Sequence, residues 1–356
     1  MLSYNKLVAS KVLLLRQEYL KKIKGRDPKL WSEITENNEH SIITVVIPTK
    51  GCSWALSEFG GCSVCGYIND SSRDLSIPIS NILLEIERLL KETETKKSII
   101  LKIFNSGSFF DETDVPKNLR QNIIELIKKY PNCSQLSVES RPEYVIKHIE
   151  IVEETKKSID PTILEVGIGL ESSNNSILSD CWNKGIRVSD YNQAVWILKK
   201  IGIKIKTYIF VKPPFLTEFE ALFDSLATIN HAVSQGTDSI SINPCSVQNG
   251  TLAYYLYKQD RYQPPWLWTI LLLVFYTKTQ YPHVELICEP TAGGKPRGTH
   301  NCGKCDKKVL DYIKDIINNQ PAPTDYSQIC SCANRWYTLI KSPIDSYQTS
   351  KLSKLR

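Results

Sequence analysis

Residues 42–66 read IITVVIPTKGCSWALSEFGGCSVCG, a β-branched run that breaks into a Gly-rich loop holding Cys52, Cys62 and Cys65. β-Branched residues favour strands and glycines favour loops, so the segment predicts a strand that delivers three thiols at its C-terminal end. The same alternation repeats downstream. Short apolar runs at 98–104, 135–139, 163–170, 204–211 and 239–243 are separated by amphipathic helical windows at 81–92, 117–130, 142–157, 189–200 and 217–235. Six strand-then-helix units in succession predict a parallel sheet with helices on its outer face. The apolar runs are nearly continuous, as expected of strands buried on both faces. A sixth helix over 265–280 closes the series, and 284–288 reads as one further strand. Periodicity leaves a doubly wound sheet and a curved partial barrel both open, and either places function at the C-terminal strand ends.

Three regions follow: residues 1–40 as an N-terminal helical extension, 41–285 as the α/β body, and 286–356 as a Cys-rich module with a basic tail. The first region mixes Lys6, Lys11, Arg16, Lys21 and Lys22 with short apolar stretches. That pattern suits an amphipathic helix of a cytoplasmic protein and not a signal peptide. The longest apolar run, 270–276, falls far short of the ~18 residues of a membrane span. Of the 356 residues 42% are hydrophobic, so a large core is expected, and the net charge of +6 permits an RNA partner without demanding one.

The eleven cysteines fall into two close-spaced groups, with Cys133, Cys181 and Cys245 alone. Close spacing in a cytoplasmic chain points to metal rather than to disulfides. The first group offers three thiols without a nearby His, whereas a structural zinc site takes four protein ligands. Three thiolates on a [4Fe–4S] cube leave one iron free of protein, able to take the amino and carboxylate groups of S-adenosylmethionine (SAM). Zinc with a distant fourth ligand is the competing reading. In the second group Cys302-x-x-Cys305 and Cys330-x-Cys332 supply four thiolates, enough for tetrahedral zinc, with Cys288 or His300 as substitutes. A second iron–sulfur cluster is the alternative there, since thiolates suit both metals.

Further polar groups stand at consecutive strand ends: Ser106, Gly107 and Ser108 after the second, Glu139 and Arg141 at the third, Glu171 after the fourth, Lys212 after the fifth and Asn243 at the sixth. A carboxylate such as Glu139 suits a ribose hydroxyl, and Arg141 suits bidentate pairing with a carboxylate. With the cysteine loop, these segments resemble the radical SAM superfamily. Its commonest spacing is CxxxCxxC, whereas nine residues separate Cys52 from Cys62 here. The longer spacing resembles the catalytic subunit of Elongator. The Ser-Gly-Ser-Phe, Glu-Ser-Arg-Pro-Glu and Asn-Pro-x-x-Val-Gln segments together look like the radical SAM proteins of archaeosine biosynthesis, over about residues 40 to 335.

The resemblance implies a partial (β/α)6 barrel of TIM type, a [4Fe–4S] cluster on Cys52, Cys62 and Cys65, and SAM bound by the strand-end residues. It implies a lyase acting on lysine-modified preQ0 at position 15 of tRNA, working with a transglycosylase-like archaeosine synthase that attaches the lysine and with an electron donor. Lys295, Arg297, Lys304, Lys307, Lys308, Lys351, Lys354 and Arg356 are candidate phosphate contacts. Two other classes remain open. One is a different radical SAM tRNA enzyme, an Elongator-like acyltransferase or a methylthiotransferase. The first would need an acetyltransferase domain after the barrel, and the second usually has extra cysteines before Cys52; neither feature is in the sequence. The other is a non-enzymatic zinc protein that binds RNA or a partner subunit.

Overall fold

Eight strands form one sheet in chain order: β1 (Trp31–Glu36), β2 (His40–Val46), β3 (Ser98–Phe104), β4 (Cys133–Ser140), β5 (Ile163–Gly169), β6 (Lys204–Val211), β7 (Ser239–Pro244) and β8 (Glu285–Ile287). The computed structural model describes residues 4–341, apart from 27, 29, 38, 73–76, 94–96 and 324. Strand β1 pairs antiparallel with β2, and every later pair is parallel. Because each parallel strand lies beside its successor, right-handed crossovers put the helices on a single face and the sheet curls around the other. A doubly wound sheet needs a reversal of strand order, and this sheet has none. Since β1 and β8 each have one neighbour, the barrel stays open as a curled half-barrel.

The outer face carries the core. Ile43, Val45, Ile99, Leu101, Leu136, Val138, Val166, Ile205, Ile209 and Ile240 are fully buried against helices such as Ile79–Glu92, Lys117–Ile127 and Val188–Ile201. The concave face differs from the expectation of strands apolar on both sides. Alternate residues put Lys102, Ser137, Glu139, Glu165, Lys206 and Tyr208 there, and Ser137, Glu165 and Lys206 are buried as a bonded polar cluster. Lys206 bonds Glu165 at 2.5 Å, and Ser137 donates to the same carboxylate at 2.7 Å.

Two further expectations change. The first 40 residues are not helical throughout, since Trp31–Glu36 forms β1. Its sequence, WSEITE, has too few apolar residues to signal a strand, and β1 is held by backbone pairing at the sheet edge. The window at 142–157 is two helices, Pro142–Lys147 and Ile149–Ser158, broken where His148 takes φ −122° and ψ 43°.

The N-terminal helix, Tyr4–Lys22, buries Val8 and Val12 against Val64, Leu178, Trp182 and Leu252. It touches the cysteine loop directly, since a Cβ on Gly60 would stand 2.5 Å from Leu13 Cα. The C-terminal region packs on the barrel. Cys305, Val309, Ile313, Ile316 and Trp336 join the main core, and the Trp268 and Tyr326 rings stack at 5.3 Å. Among the described residues, no helix is long and apolar enough to cross a membrane.

Candidate active site and metal centre

The cysteine loop leaves β2 and is pinned on several sides. Gly51, at φ +103°, lets the chain pass where a Cβ would stand 2.4 Å from Ile68 Cδ1. Ser63 donates to the Cys181 carbonyl at 2.6 Å, Asn183 donates to Gly61 O at 2.7 Å, and the Gly66 amide donates to Gln248 Oε1. Cys52, Cys62 and Cys65 are free of disulfides and half-buried as residues. They share one electrostatic neighbourhood. Burial pushes the Cys65 thiol up to about 12; Cys62 adds to the rise and Arg16 opposes it. Burial raises Cys52 as well, against the pull of Arg141, with Cys62 adding to the rise.

Asp114 joins this loop to the loop after β3, and the sequence reading missed it. One carboxylate oxygen accepts from the Thr49 hydroxyl at 2.5 Å and from the Gly51 amide at 2.8 Å. The other accepts from Asn105 Nδ2 at 2.5 Å and the Ser108 amide at 3.0 Å. Gly107 lies between, and a Cβ there would stand 2.0 Å from Asp114 Oδ2 and 2.9 Å from Cys52 Cα. The glycine is therefore a requirement of close packing. Ser108 Oγ accepts from the Arg141 amide at 3.0 Å, which ties this loop to the end of β4.

Arg141 lies over the Trp54 ring at 5.5 Å, donates to Lys184 O at 2.7 Å and pairs with Glu143 at 2.5 Å. Glu171 and Lys212, at the ends of β5 and β6, adopt left-handed backbones with φ +65° and +64°. Strained backbone of this kind concentrates at functional sites. Glu171 pairs with Lys184 at 2.5 Å and Lys212 with Glu218 at 2.8 Å. Glu139 meets the Tyr208 hydroxyl inside the curl, and burial pushes its carboxyl up. Asn243 bonds back to Ser241 at 3.0 Å. Tyr67 stands at the same mouth with half its surface exposed but its hydroxyl turned inward to Gln248, where burial of that hydroxyl and then Cys65 and Glu139 raise its phenol. Nothing in its local sequence marks it beyond standing two residues past Cys65.

The site carries unspent hydrogen-bonding capacity. Ser106 Oγ, Asn105 Oδ1, Glu171 Oε2 and Arg16 Nη1 are buried without a partner. Buried polar atoms are normally paired, so these orphans, two acceptors (Asn105 Oδ1 and Glu171 Oε2), a hydroxyl and a guanidinium donor, fit a polar occupant that both donates and accepts.

In the second group Cys302 lies 3.8 Å from Cys305 and 3.6 Å from Cys330, and Cys305 lies 3.6 Å from Cys332. All four sulfurs fall within 4.8 Å of one another. A metal–sulfur bond of about 2.3 Å gives tetrahedral edges of about 3.8 Å, so the spacing fits one ion. Burial works against the Cys302 thiolate, but bonds from the Lys304 amide, Cys332 and Cys330 outweigh it and draw the thiol down to about 7. Trp268 Nε1 points at Cys332 Sγ, 3.4 Å away, and Asn301 Nδ2 at Cys305 Sγ, 3.5 Å away. Cys288 is buried in the main core outside this group, and His300 Nδ1 bonds Gly298 O at 2.8 Å. Lys295, Arg297, Lys304, Lys307 and Lys308 are all exposed, whereas Lys351, Lys354 and Arg356 lie outside the described residues.

No family model matches the chain. Over 319 residues it is 32% identical to archaeosine synthase subunit beta of Methanosarcina acetivorans, covering 89% of this chain and 90% of that protein. The chain belongs to the archaeosine synthase subunit beta family. The subunit beta of Thermococcus kodakarensis is 30% identical over 312 residues, 85% of this chain and 93% of that one. Among solved structures, Methanocaldococcus infernus Elp3 matches 67% of this chain and 59% of its own, with 18% identity and a TM-score of 0.47. Methylornithine synthase (PylB) matches 93% and 94%, with 10% identity and a TM-score of 0.44. The assignment to the archaeosine synthase subunit beta family rests on the two sequence relatives.

Proposed function

We propose that this chain is the radical SAM subunit of an archaeosine synthase. In this reading it cleaves a C–N bond of lysine-modified preQ0 at position 15 of tRNA. The observation that carries the reading is the coincidence of family and chemistry: a member of the archaeosine synthase subunit beta family presents three thiols and four orphaned polar atoms at one mouth of a half-barrel. A [4Fe–4S] cluster on Cys52, Cys62 and Cys65, with SAM on its open iron, would supply one-electron cleavage of SAM to methionine and a 5′-deoxyadenosyl radical.

The chain's own residues do the rest. The Ser106–Ser108 segment and Glu171 offer acceptors for the SAM amino group, Arg141 a guanidinium for its carboxylate, and Glu139 an acceptor for ribose. Lys212 and Asn243 stand at the next two strand ends, on the substrate side. The curl holds the lysine carbon next to the new nitrogen against the radical and excludes water, because such a radical attacks almost any C–H bond. Loss of that hydrogen and of one further electron, to a one-electron acceptor such as the oxidised cluster, would take the carbon to the imine level. Addition of the lysine's own α-amine or of water would then break the C–N bond and release the formamidine of archaeosine with an oxidised lysine fragment. The exposed lysines and Arg297 of 295–308 would contact tRNA phosphates. The lysine would be attached beforehand by a transglycosylase-like partner subunit, and a separate low-potential donor would supply the electron.

The second cysteine group would hold one zinc, which staples the C-terminal region to the barrel; the support is the 3.6–3.8 Å spacing of its sulfurs. The test is substitution of each loop cysteine. Cys52→Ala, Cys62→Ala and Cys65→Ala should each abolish SAM cleavage in folded protein, and full activity in the triple variant would overturn the reading.

A further inference from the structure

Three cations stand around the thiols of the first loop. Arg141 acts on Cys52 and Cys62, Lys184 on Cys62, and Arg16 on all three. Two of them are already neutralised, Arg141 by Glu143 and Lys184 by Glu171. Arg16 is not. It projects from the N-terminal helix, is 1% exposed, and donates only to backbone carbonyls, Gly60 O at 3.2 Å and Cys65 O at 2.5 Å. Its Nη1 is buried with no partner, and no carboxylate pairs with it among the described residues. A buried guanidinium without a counter-charge is costly unless an anion faces it.

We infer that Arg16 is the fixed counter-cation of the iron–sulfur cluster, with Nη1 donating to a cluster or cysteine sulfur and raising the cluster's reduction potential. The inference rests on the cluster reading given above. The cluster becomes one unit more negative on reduction, so a buried cation held beside it stabilises the reduced form more than the oxidised one. Hydrogen bonds to the sulfurs and local charge are recognised levers on such potentials. Arg16 is thus a positioning and tuning residue, and it makes the N-terminal helix part of the redox site. The two carbonyl bonds fix the guanidinium against the loop, and the bare Gly60 lets the helix approach closely enough for it to reach.

The test is a spectroscopic redox titration of the full chain, reconstituted with iron and sulfide under anaerobic conditions, in wild type, Arg16→Gln and Arg16→Lys. At a fixed solution potential the reduced-to-oxidised ratio should fall about tenfold in Arg16→Gln, which is about 59 mV for a one-electron couple. Arg16→Lys, which keeps the charge, should stay close to wild type. A wild-type midpoint in Arg16→Gln would overturn the inference. So would equal shifts in both variants, since they would trace to the lost carbonyl bonds and not to charge. Should Arg16→Gln fail to retain iron, Arg16→Met is titrated in its place: a midpoint lowered by a similar amount supports the charge role and a wild-type midpoint overturns it. A wild-type protein that takes up no iron would overturn the cluster reading itself and this inference with it.

Discussion

The carboxylate of Asp114 accepts four hydrogen bonds, two from the cysteine loop and two from the loop after β3. Asp114→Ala would strand these donors in a buried setting, where each costs about 1–3 kcal/mol. With four donors at the low end of that range we expect a stability loss of about 4 kcal/mol in urea unfolding, with iron retention falling alongside. Wild-type stability and iron content in the variant would contradict this role. Gly107→Ala should damage the same junction, because its methyl would overlap Asp114 and crowd the Cys52 backbone. The cysteines were legible in the sequence because three like residues in one Gly-rich loop are rare and chemically specific. Asp114 was not, since a lone Asp in a polar loop ordinarily faces water, and only the fold brings its four donors together. Glu171 and Lys212 were legible as strand-end charges, but their left-handed backbones and their partners Lys184 and Glu218 were not.

Between elements, the helix Glu218–Gln235 meets the segment after β5 through Asp224, whose carboxylate accepts from Ser172 Oγ at 2.6 Å. Burial pushes the Asp224 carboxyl up to about 6, and the Ser172 bond offsets this only in part. A carboxyl raised in the folded state contributes most stability below its unfolded pKa and loses it as pH rises through the folded value. Relative to Asp224→Asn, the wild type should therefore lose roughly 2 kcal/mol between pH 4 and pH 7, after allowance for partial exposure. A stability difference independent of pH would contradict that sign. The C-terminal cysteines give a second test at this scale. Cys302→Ser should release zinc and lower the melting temperature by about 5 °C, since Val309, Ile313 and Trp336 belong to the barrel's own core. Loss of iron with zinc retained would reverse the assignment of the two metal sites. Strands β3 and β6 were read to the residue because their ends are sharp. Strand β1 was missed because an edge strand held by backbone pairing needs little apolar sequence.

Across the whole molecule, the unbroken strand order decides between the two architectures that periodicity left open. The sequence could not reveal the polar concave face directly, because Lys102, Glu139, Glu165 and Lys206 interrupt apolar runs only one residue at a time. Curling that face inward sets the cysteine loop at the end of a buried, charged interior, with Arg16 of the N-terminal helix against the loop. The C-terminal cysteines sit against the start of the helix Leu267–Gln280, where Trp268 Nε1 points at Cys332 Sγ, and the exposed lysines of 295–308 are close to Cys302 and Cys305 in sequence. The measurement that tests the central claim most directly is anaerobic turnover with SAM, dithionite and tRNA carrying lysine-modified preQ0 at position 15. The account predicts about four irons per chain, 5′-deoxyadenosine release and archaeosine in the digested tRNA. Zinc without iron, with SAM and the tRNA base unchanged, would contradict it.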